Sequence, residues 1–319
     1  MSKAAVTFFT FAFLMFASRS GRPQDGKLKI AVIPKGTTHL FWKSVEAGVR
    51  KAEGELGVEI IWKGPLKEND RAQQIAIVEQ FVTEGVSGIV LAPLDDAALK
   101  RPVSAAAQKK IPVVIFDSAL KGEAGKDFVS FVATNNRKGG TLGGEQLAQL
   151  LGGKGKIVLL RYQIGSASTV EREAGFLEAT GKNPDLQVIV DNRYAGATAG
   201  EAKNASLNML DKIKEANGIF CPNESSTLGM LLALRQMNLA GKIKFVGFDT
   251  SPPLIEALQN GEIDALVAQD PARMGYEGVK TLVEHIQGKT VATMLDTGVR
   301  LVTRDNLNEP EIKKLLGSN

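Results

Sequence analysis

Nine polar or aromatic side chains lie at or just beyond the ends of six short apolar runs that have the composition of β-strands. Asp, Asn, Gln and Arg are planar groups with paired donors or acceptors, which match vicinal hydroxyls. Aromatic faces suit the C–H surface of a sugar ring. Because strand ends of parallel sheets meet at one edge, we expect the nine to converge on one crevice. They are His39, Phe41, Trp42, Asp117, Arg172, Asn223, Phe248, Asp249 and Gln269.

The expected site is neutral or acidic, because Asp117 and Asp249 offset Arg172. This balance favours a neutral polyol over an anion. Taken one at a time, these residues also have ordinary structural interpretations. Asn223 and Asp249 could cap helices, and an aromatic residue after the first strand could belong to the core.

Nucleotide, metal and nucleophile motifs are missing from the sequence, so we expect no cofactor, no metal and no catalytic residue. The segment GEAGK is too short for a phosphate-binding loop, and GGTLGG lacks the spacing and context of a dinucleotide motif. His39 and His285 are far apart in the chain. The single cysteine, Cys221, ends an apolar strand and is interpreted as a small buried hydrophobic residue.

The elements that must position these residues alternate between β-strands and helices. Runs such as IAVI, GIVLA and VVIF are apolar throughout, which is typical of strands covered on both faces. The alternation of strand and helix patterns restarts after LLGGKGK. Within this second half, a single helix is predicted over Gly200–Lys214. The 319 residues therefore predict an α/β fold with two similar halves, each built on a parallel sheet.

The amino-terminal segment has the pattern of a secretory signal. Lys3 precedes the apolar run Ala4–Ala17, which is too short to span a bilayer as a helix and meets a polar segment. We expect a signal peptide over residues 1–24 and a periplasmic mature protein. A buried helix or an uncleaved anchor is the alternative. Residues 1–22 carry three of the four net positive charges, so no nucleic-acid partner is expected.

Several motifs resemble those of the sugar-binding proteins of bacterial ABC importers, of the ribose/galactose type. They are GVRKAEGELGVE, GIVLAPLDDAAL, IPVVIFDS, EREAGF, PNESSTLGMLLAL, FVGFDTSP and VAQDPARMGYEGV. The resemblance implies two Rossmann-like lobes joined by three crossovers, near residues 134–135, 269–270 and 298–300, that close around a monosaccharide. The implied lobes are 27–134 with 270–299, and 135–269 with 300–319.

The resemblance also extends to single residues. Arg172, Asn223, Asp249 and Gln269 match sugar-binding positions of the family's second lobe, while Asp117 and the pair Phe41 and Trp42 match positions of its first lobe. The first lobe departs from the ribose pattern, which has Asn at His39, Asn at Ala92 and Arg at Ser118. A hexose, a deoxy sugar or a bulkier polyol is therefore as plausible a ligand as ribose.

The leading hypothesis is a monomeric solute receptor that delivers a sugar to a membrane permease. A repressor with a related effector domain would need an amino-terminal DNA-binding domain of about sixty residues, in place of the apolar leader. A sugar-active enzyme could use Asp117 and Asp249, although no nucleophile or metal accompanies them. A sensor that does not transport is the remaining alternative.

Overall fold

The computed structural model describes residues 26–317 and contains alternating strands and helices. The first part comprises β1 (Lys29–Ile33), α1 (Leu40–Leu56), β2 (Glu59–Trp62), α2 (Arg71–Glu84), β3 (Gly88–Leu91), α3 (Lys100–Gln108), β4 (Val113–Phe116), β5 (Ser130–Ala133), α4 (Asn136–Leu150) and β6 (Lys154–Arg161). The rest comprises α5 (Ala167–Thr180), β7 (Asp185–Tyr194), α6 (Ala199–Leu207), α7 (Leu210–Glu215), β8 (Gly218–Phe220), α8 (Glu224–Gln236), β9 (Lys244–Phe248), α9 (Pro252–Gln259), β10 (Ala265–Gln269), α10 (Pro271–Ile286), β11 (Met294–Asp296), β12 (Val299–Thr303) and α11 (Pro310–Leu315).

Two six-stranded sheets share one pattern of strand order. The first sheet has the order β11-β5-β4-β3-β1-β2, and the second has the order β12-β10-β9-β8-β6-β7. β1 therefore corresponds to β6, β3 to β8, β4 to β9 and β5 to β10. All pairings are parallel except that of β10 with β12. The predicted α/β fold with two parallel-sheet halves is confirmed.

The chain passes between the two sheets three times. β5 belongs to the first sheet, whereas α4, which follows it, packs on α5 and β9 of the second. β10 leads to α10, which packs on α1 and β4, and β11 of the first sheet leads to β12 of the second. Each sheet with the helices on it is called a lobe below. Val299, placed in the first lobe by the sequence, instead pairs with Gln269 in the second because β12 begins there.

Each lobe has one apolar core on either face of its sheet. In the first lobe, α1 and α10 cover one face and α2 and α3 cover the other. In the second lobe, α4 and α5 cover one face, and α6, α7, α8, α9 and α11 contribute to the core on the other. Central strands such as β3 and β4 are buried along their whole length. Burial on both faces explains why these strands are apolar at every position.

Glycines set the distance between α4 and α5. A Cβ on Gly140 would lie 1.8 Å from the backbone oxygen of Arg172, and one on Gly175 would lie 2.1 Å from that of Arg137. The GGTLGG segment, which lacks the features of a phosphate-binding loop, is therefore the surface of α4 that packs against α5. It lets the backbone of Arg172 approach α4 closely.

The predicted helix over Gly200–Lys214 is wrong in one respect, because the structure has two helices, α6 and α7. The N–H of Met209 donates to the carbonyl of Ser206, a tightened turn that ends α6. The chain then restarts as α7, with Met209 and Ile213 both buried in the core of the second lobe.

Candidate functional site

A buried ion pair forms one wall of the space between the lobes. Lys35 lies two residues beyond β1 and Asp117 directly follows β4. Lys35 Nζ lies 2.9 Å from Asp117 Oδ2 and donates to Ser168 Oγ of the second lobe at 2.9 Å. Both charged side chains are almost fully buried. Ser168 lies in the first turn of α5, so this cation contacts both lobes at once.

The facing wall holds a chain of hydrogen bonds between three buried side chains. The Nη2–H of Arg172 donates to Gln269 Oε1 at 2.8 Å, and Gln269 Nε2 donates to Asp249 Oδ1 at 2.6 Å. Burial lowers the pKa of Arg172 and raises that of Asp249, because removal from water disfavours the charged forms. The amide of Gln269 thus relays between a guanidinium and a carboxylate without direct contact between the two.

Phe248 packs against the Arg172 end of this chain of hydrogen bonds. Its ring is fully buried, and the guanidinium carbon of Arg172 lies 3.9 Å from the ring centroid. Phe248 is not among the residues that line the cavity between the lobes. The geometry therefore gives Phe248 a contact with Arg172, rather than a face open to a ligand.

Asn223 combines the two roles considered for it. Its Oδ1 accepts from the N–H of Ser226, and Ser226 in turn bonds back to the Asn223 N–H, which forms a capping box at α8. Asn223 also lines the cavity. The cap fixes the side chain at the end of β8 beside the other polar groups.

A single carboxylate, Glu68, gathers three donors at the edge of the cavity. Trp42 Nε1 donates to its Oε1 at 2.7 Å, the hydroxyl of Tyr162 donates to its Oε2 at 3.0 Å, and His39 Nδ1 lies 2.8 Å from its Oε1. Burial alone would raise the pKa of Glu68, but the charges of His39 and Lys35 and the hydrogen bonds from His39 and Trp42 lower it to about 2. Glu68 and Trp42 belong to the first lobe, whereas Tyr162 follows β6 of the second.

His39 also bridges the lobes. Its Nε2 lies 2.8 Å from the carbonyl oxygen of Ala197, while Nδ1 faces Glu68. Both partners are acceptors, so both ring nitrogens must carry protons to donate. Burial would lower the pKa of His39, but the Glu68 carboxylate outweighs it, and the pKa is raised to about 9. The imidazolium form therefore fits this closed arrangement.

Eight of the nine expected residues line one cavity between the lobes, the exception being Phe248. The cavity is narrow, with a volume of about 20 Å³. It adjoins a second cavity of about 370 Å³, which shares Phe41, Glu224, Asp249 and Gln269 in its lining. The carboxylates can accept from hydroxyls, and the cations and amides can donate to ring or hydroxyl oxygens.

Six further residues line the cavity and were not anticipated from the sequence. Lys35 and Tyr162 lie just beyond β1 and β6, so the rule applied to Asp117 could also have selected them. Glu224 adjoins Asn223 and could have been found in the same way. Glu68 lies in a polar loop with no such pattern. The six are Lys35, Glu68, Tyr162, Ser168, Thr169 and Glu224.

Neither a metal cluster nor a membrane-crossing helix is found between residues 26 and 317. In that range, no three His, Cys, Asp or Glu side chains are grouped to hold an ion. None of its helices combines the length and apolar character needed to cross a bilayer. Cys221 is fully buried, and burial raises the pKa of its thiol well above its ordinary value. The site is thus a set of hydrogen-bonding groups.

Comparison with known proteins gives concordant matches. Residues 30–290 match the model of the periplasmic binding protein domain. The ribose import binding protein of Haemophilus influenzae is 27% identical over 286 residues, covering 90% of this chain and 94% of that protein. A solute-binding protein from Agrobacterium radiobacter, solved with D-arabinose, is 34% identical with a TM-score of 0.87, over 92% of this chain and 99% of its own. One from Agrobacterium vitis with D-fucose is 36% identical with a TM-score of 0.87, over 90% and 99%.

Proposed function

Because the chain belongs to the periplasmic binding protein domain family, we propose that it is a receptor that binds a monosaccharide or related polyol and delivers it to an ABC-type importer. The sugars bound by its relatives, D-arabinose and D-fucose among them, support this ligand class. The ligand would lie in the space between the two lobes.

The observation that carries the proposal is the pairing of two polar walls across that space. Arg172, Gln269 and Asp249 form one hydrogen-bonded wall, and Asp117 with Lys35 forms the other. Each wall presents donors and acceptors in fixed positions, which is what a ring carrying several hydroxyls requires. No single sign of charge dominates, so a neutral ligand suits the site better than an anion.

We assign the contacts to the sugar as follows. Polar contacts come from His39, Asp117, Arg172, Asn223, Asp249 and Gln269, and Phe41 and Trp42 supply the aromatic faces. Phe248 acts by holding the guanidinium of Arg172. Lys35 joins the polar set because it reaches both lobes. These assignments follow from the lining of the cavity and the strand-end positions.

The first lobe departs from the ribose pattern around the cavity. His39 is held by Glu68 and the carbonyl of Ala197, and Ser118 Oγ accepts from the N–H of Ser168. Both residues thus make contacts beside the cavity. We therefore propose a hexose, a deoxy sugar or a bulkier polyol as candidate ligands alongside ribose.

The two cleft aspartates serve binding rather than chemistry on the sugar. Asp117 is ion-paired with Lys35, and both oxygens of Asp249 accept hydrogen bonds, from Gln269 and from the N–H of Glu224. We therefore propose a monomeric receptor that acts on its ligand only by binding, in the periplasm, after removal of residues 1–24, which lie outside the described residues.

A thermal-shift screen of pentoses, hexoses, deoxy sugars and inositols tests the function. A ligand that binds only the folded protein stabilises it by RT ln(1 + [L]/Kd), which is about 2.7 kcal/mol at a hundredfold excess over Kd. We expect one sugar or a small related group to raise the melting temperature of the mature protein by several degrees. A panel with no shift at millimolar concentrations would contradict the proposal.

A further inference from the structure

Helix α1 of the first lobe begins without a cap of its own. Its N-cap residue, His39, makes no side-chain hydrogen bond to the helix, and the first turn contains no acidic residue. The first N–H groups of a helix have no partners within it and carry its partial positive charge. At α1 these are the N–H groups of Leu40 and Phe41, which need an acceptor from elsewhere.

Glu224 of the second lobe supplies that acceptor. The N–H of Phe41 donates to Glu224 Oε2 at 2.7 Å, and the N–H of Leu40 donates to Oε1 at 3.3 Å. Glu224 is the first residue of α8 and is only 5% exposed. A carboxylate at a helix amino terminus is favourable in both charge and geometry. Because the helix and its cap belong to different lobes, the cap can form only when the lobes meet.

The same residue is tied to the ligand side of the cavity. The backbone N–H of Glu224 donates to Asp249 Oδ2 at 2.8 Å. Asp249 Oδ1 accepts from Gln269, whose other end accepts from Arg172. An unbroken chain of hydrogen bonds thus runs from Arg172 to α1, and Glu224 is the link that crosses between the lobes.

We propose that Glu224 is a positioning residue that couples sugar binding to lobe closure by capping α1 of the opposite lobe. This inference rests on the proposed function, since it assigns to Glu224 the closure of the same sugar site. A ligand held by Asp249 and Arg172 fixes the start of α8, and Glu224 then holds the amino terminus of α1, including Phe41, against the cavity. The cap therefore slows reopening and has little effect on the first encounter with the sugar.

The first test measures closure without any sugar. Ala47 on α1 and Gln236 on α8 are exposed, and the native Cys221 is buried, so Ala47→Cys and Gln236→Cys can be spin-labelled selectively. Pulsed electron resonance gives the distribution of distances between the labels. In this background, Glu224→Ala should shift the distribution towards open lobes, and Glu224→Gln, which keeps one acceptor oxygen, should shift it less.

The matched control is Asp70, which caps α2 within the first lobe by accepting from the N–H of Gln73. Asp70→Ala should lower the melting temperature while leaving the distance distribution unchanged. This control separates the loss of a helix cap from the loss of a contact between lobes. If Glu224→Ala and Asp70→Ala both leave the distribution as in the wild-type background, Glu224 does not hold the lobes together and the inference is overturned.

The second test follows sugar binding by stopped flow, with the ligand found in the thermal-shift screen. We expect Glu224→Ala to dissociate about fivefold to tenfold faster, the range given by a typical helix cap, with an association rate constant within about twofold of wild type. An unchanged dissociation rate would overturn the coupling. If wild type binds no sugar but Glu224→Ala still opens the labelled protein, the proposed function fails and the contact between lobes stands.

Discussion

Asp117 and Asp249 occupy equivalent positions in the two lobes and share an unusual backbone conformation. They follow β4 and β9, which correspond in strand order, and have φ angles of 60° and 72°. The N–H of each donates to the neighbouring strand, Asp117 to Val132 and Asp249 to Val267. Left-handed conformations are uncommon outside glycine, and aspartate is one of the residues that tolerates them. The pair turns two carboxylates into the cleft from opposite sides.

The spacing of α4 and α5 should control the position of Arg172. Gly140→Ala would place a methyl group 1.8 Å from the backbone oxygen of Arg172, so α5 must move. We expect a loss of roughly 1–3 kcal/mol in the free energy of unfolding, together with weaker sugar binding. Urea denaturation and calorimetry measure the two effects. Gly54→Ala is the control: no atom lies within 4 Å of its added Cβ, so it should leave affinity unchanged and stabilise α1 slightly.

The stability of the protein should depend on the protonation of His39. Its pKa is raised from 6.5 to about 9, so its contribution is complete below pH 6.5 and is lost as pH rises through about 9. The pKa of Glu68 is lowered from 4.5 to about 2, so its contribution is present above pH 4.5 and is lost as pH falls through about 2. At about 1.4 kcal/mol per pKa unit, the alkaline loss attributable to His39 is at most about 3–4 kcal/mol.

Urea denaturation across the alkaline range checks this dependence. Wild type should lose stability between pH 6.5 and about 9, whereas His39→Gln should be less stable at neutral pH but flatter across that interval. His285, the other histidine, lies near the carboxyl end of α10 and outside the cavity, so His285→Gln should keep the wild-type slope. Equal slopes in wild type and His39→Gln would rule out the assigned protonation.

The two tryptophans should differ as reporters of the ligand. Trp42 lines the cavity and donates to Glu68, whereas Trp62 ends β2 and does not line it. Sugar should therefore change the emission of wild type and of Trp62→Phe, but barely that of Trp42→Phe. Trp42→Phe should also bind roughly 0.5–1.5 kcal/mol more weakly. Trp42 is only 2% exposed and packs in the first lobe's core. The substitution Trp42→Phe should therefore also lower the free energy of unfolding.

Export should remove the amino-terminal segment. The pattern of Lys3 followed by the apolar run Ala4–Ala17 predicts cleavage between about Ala17 and Gln24. Intact mass measurement of the protein recovered from the periplasmic fraction gives the new first residue. Phe11→Arg, at the centre of the apolar run, should block processing. Recovery of wild type that still begins at Met1, or that is embedded in the membrane, would contradict this expectation.

Much of the fold and part of the site could be predicted because they depend on local pattern. Apolar runs that alternate with helical periods specify a parallel sheet, and the ends of its strands select Asp117, Asp249 and Gln269. The second lobe repeats the arrangement of the first, so one rule applies to both. Arg172 is different, because it lies inside α5 rather than at a strand end, and its contact with Gln269 depends on how α5 packs.

What could not be predicted depends on contacts between distant elements. Glu68 lies in a polar loop, and its contacts with His39, Trp42 and Tyr162 join elements that are far apart in the chain. The role of Gly140 requires knowledge that α5 is its neighbour. Glu224 follows a predicted site residue, but its target, the start of α1, lies in the other lobe. The sequence pattern indicates where strands end, but it does not indicate which residues of the two lobes come into contact.

Calorimetric titration of the sugar into wild type, Arg172→Ala and Asp249→Ala tests the central claim most directly. Removing either side chain leaves one end of the buried Gln269 amide without its hydrogen-bond partner. Each substitution should therefore weaken sugar binding by on the order of 2–5 kcal/mol. Asp264→Ala, which removes a carboxylate paired with Lys244 away from the cavity, should bind as wild type does. The account predicts strong binding by wild type and Asp264→Ala and at least about thirtyfold weaker binding by the two cleft variants. Near-native affinity in both cleft variants would place the sugar elsewhere and contradict it.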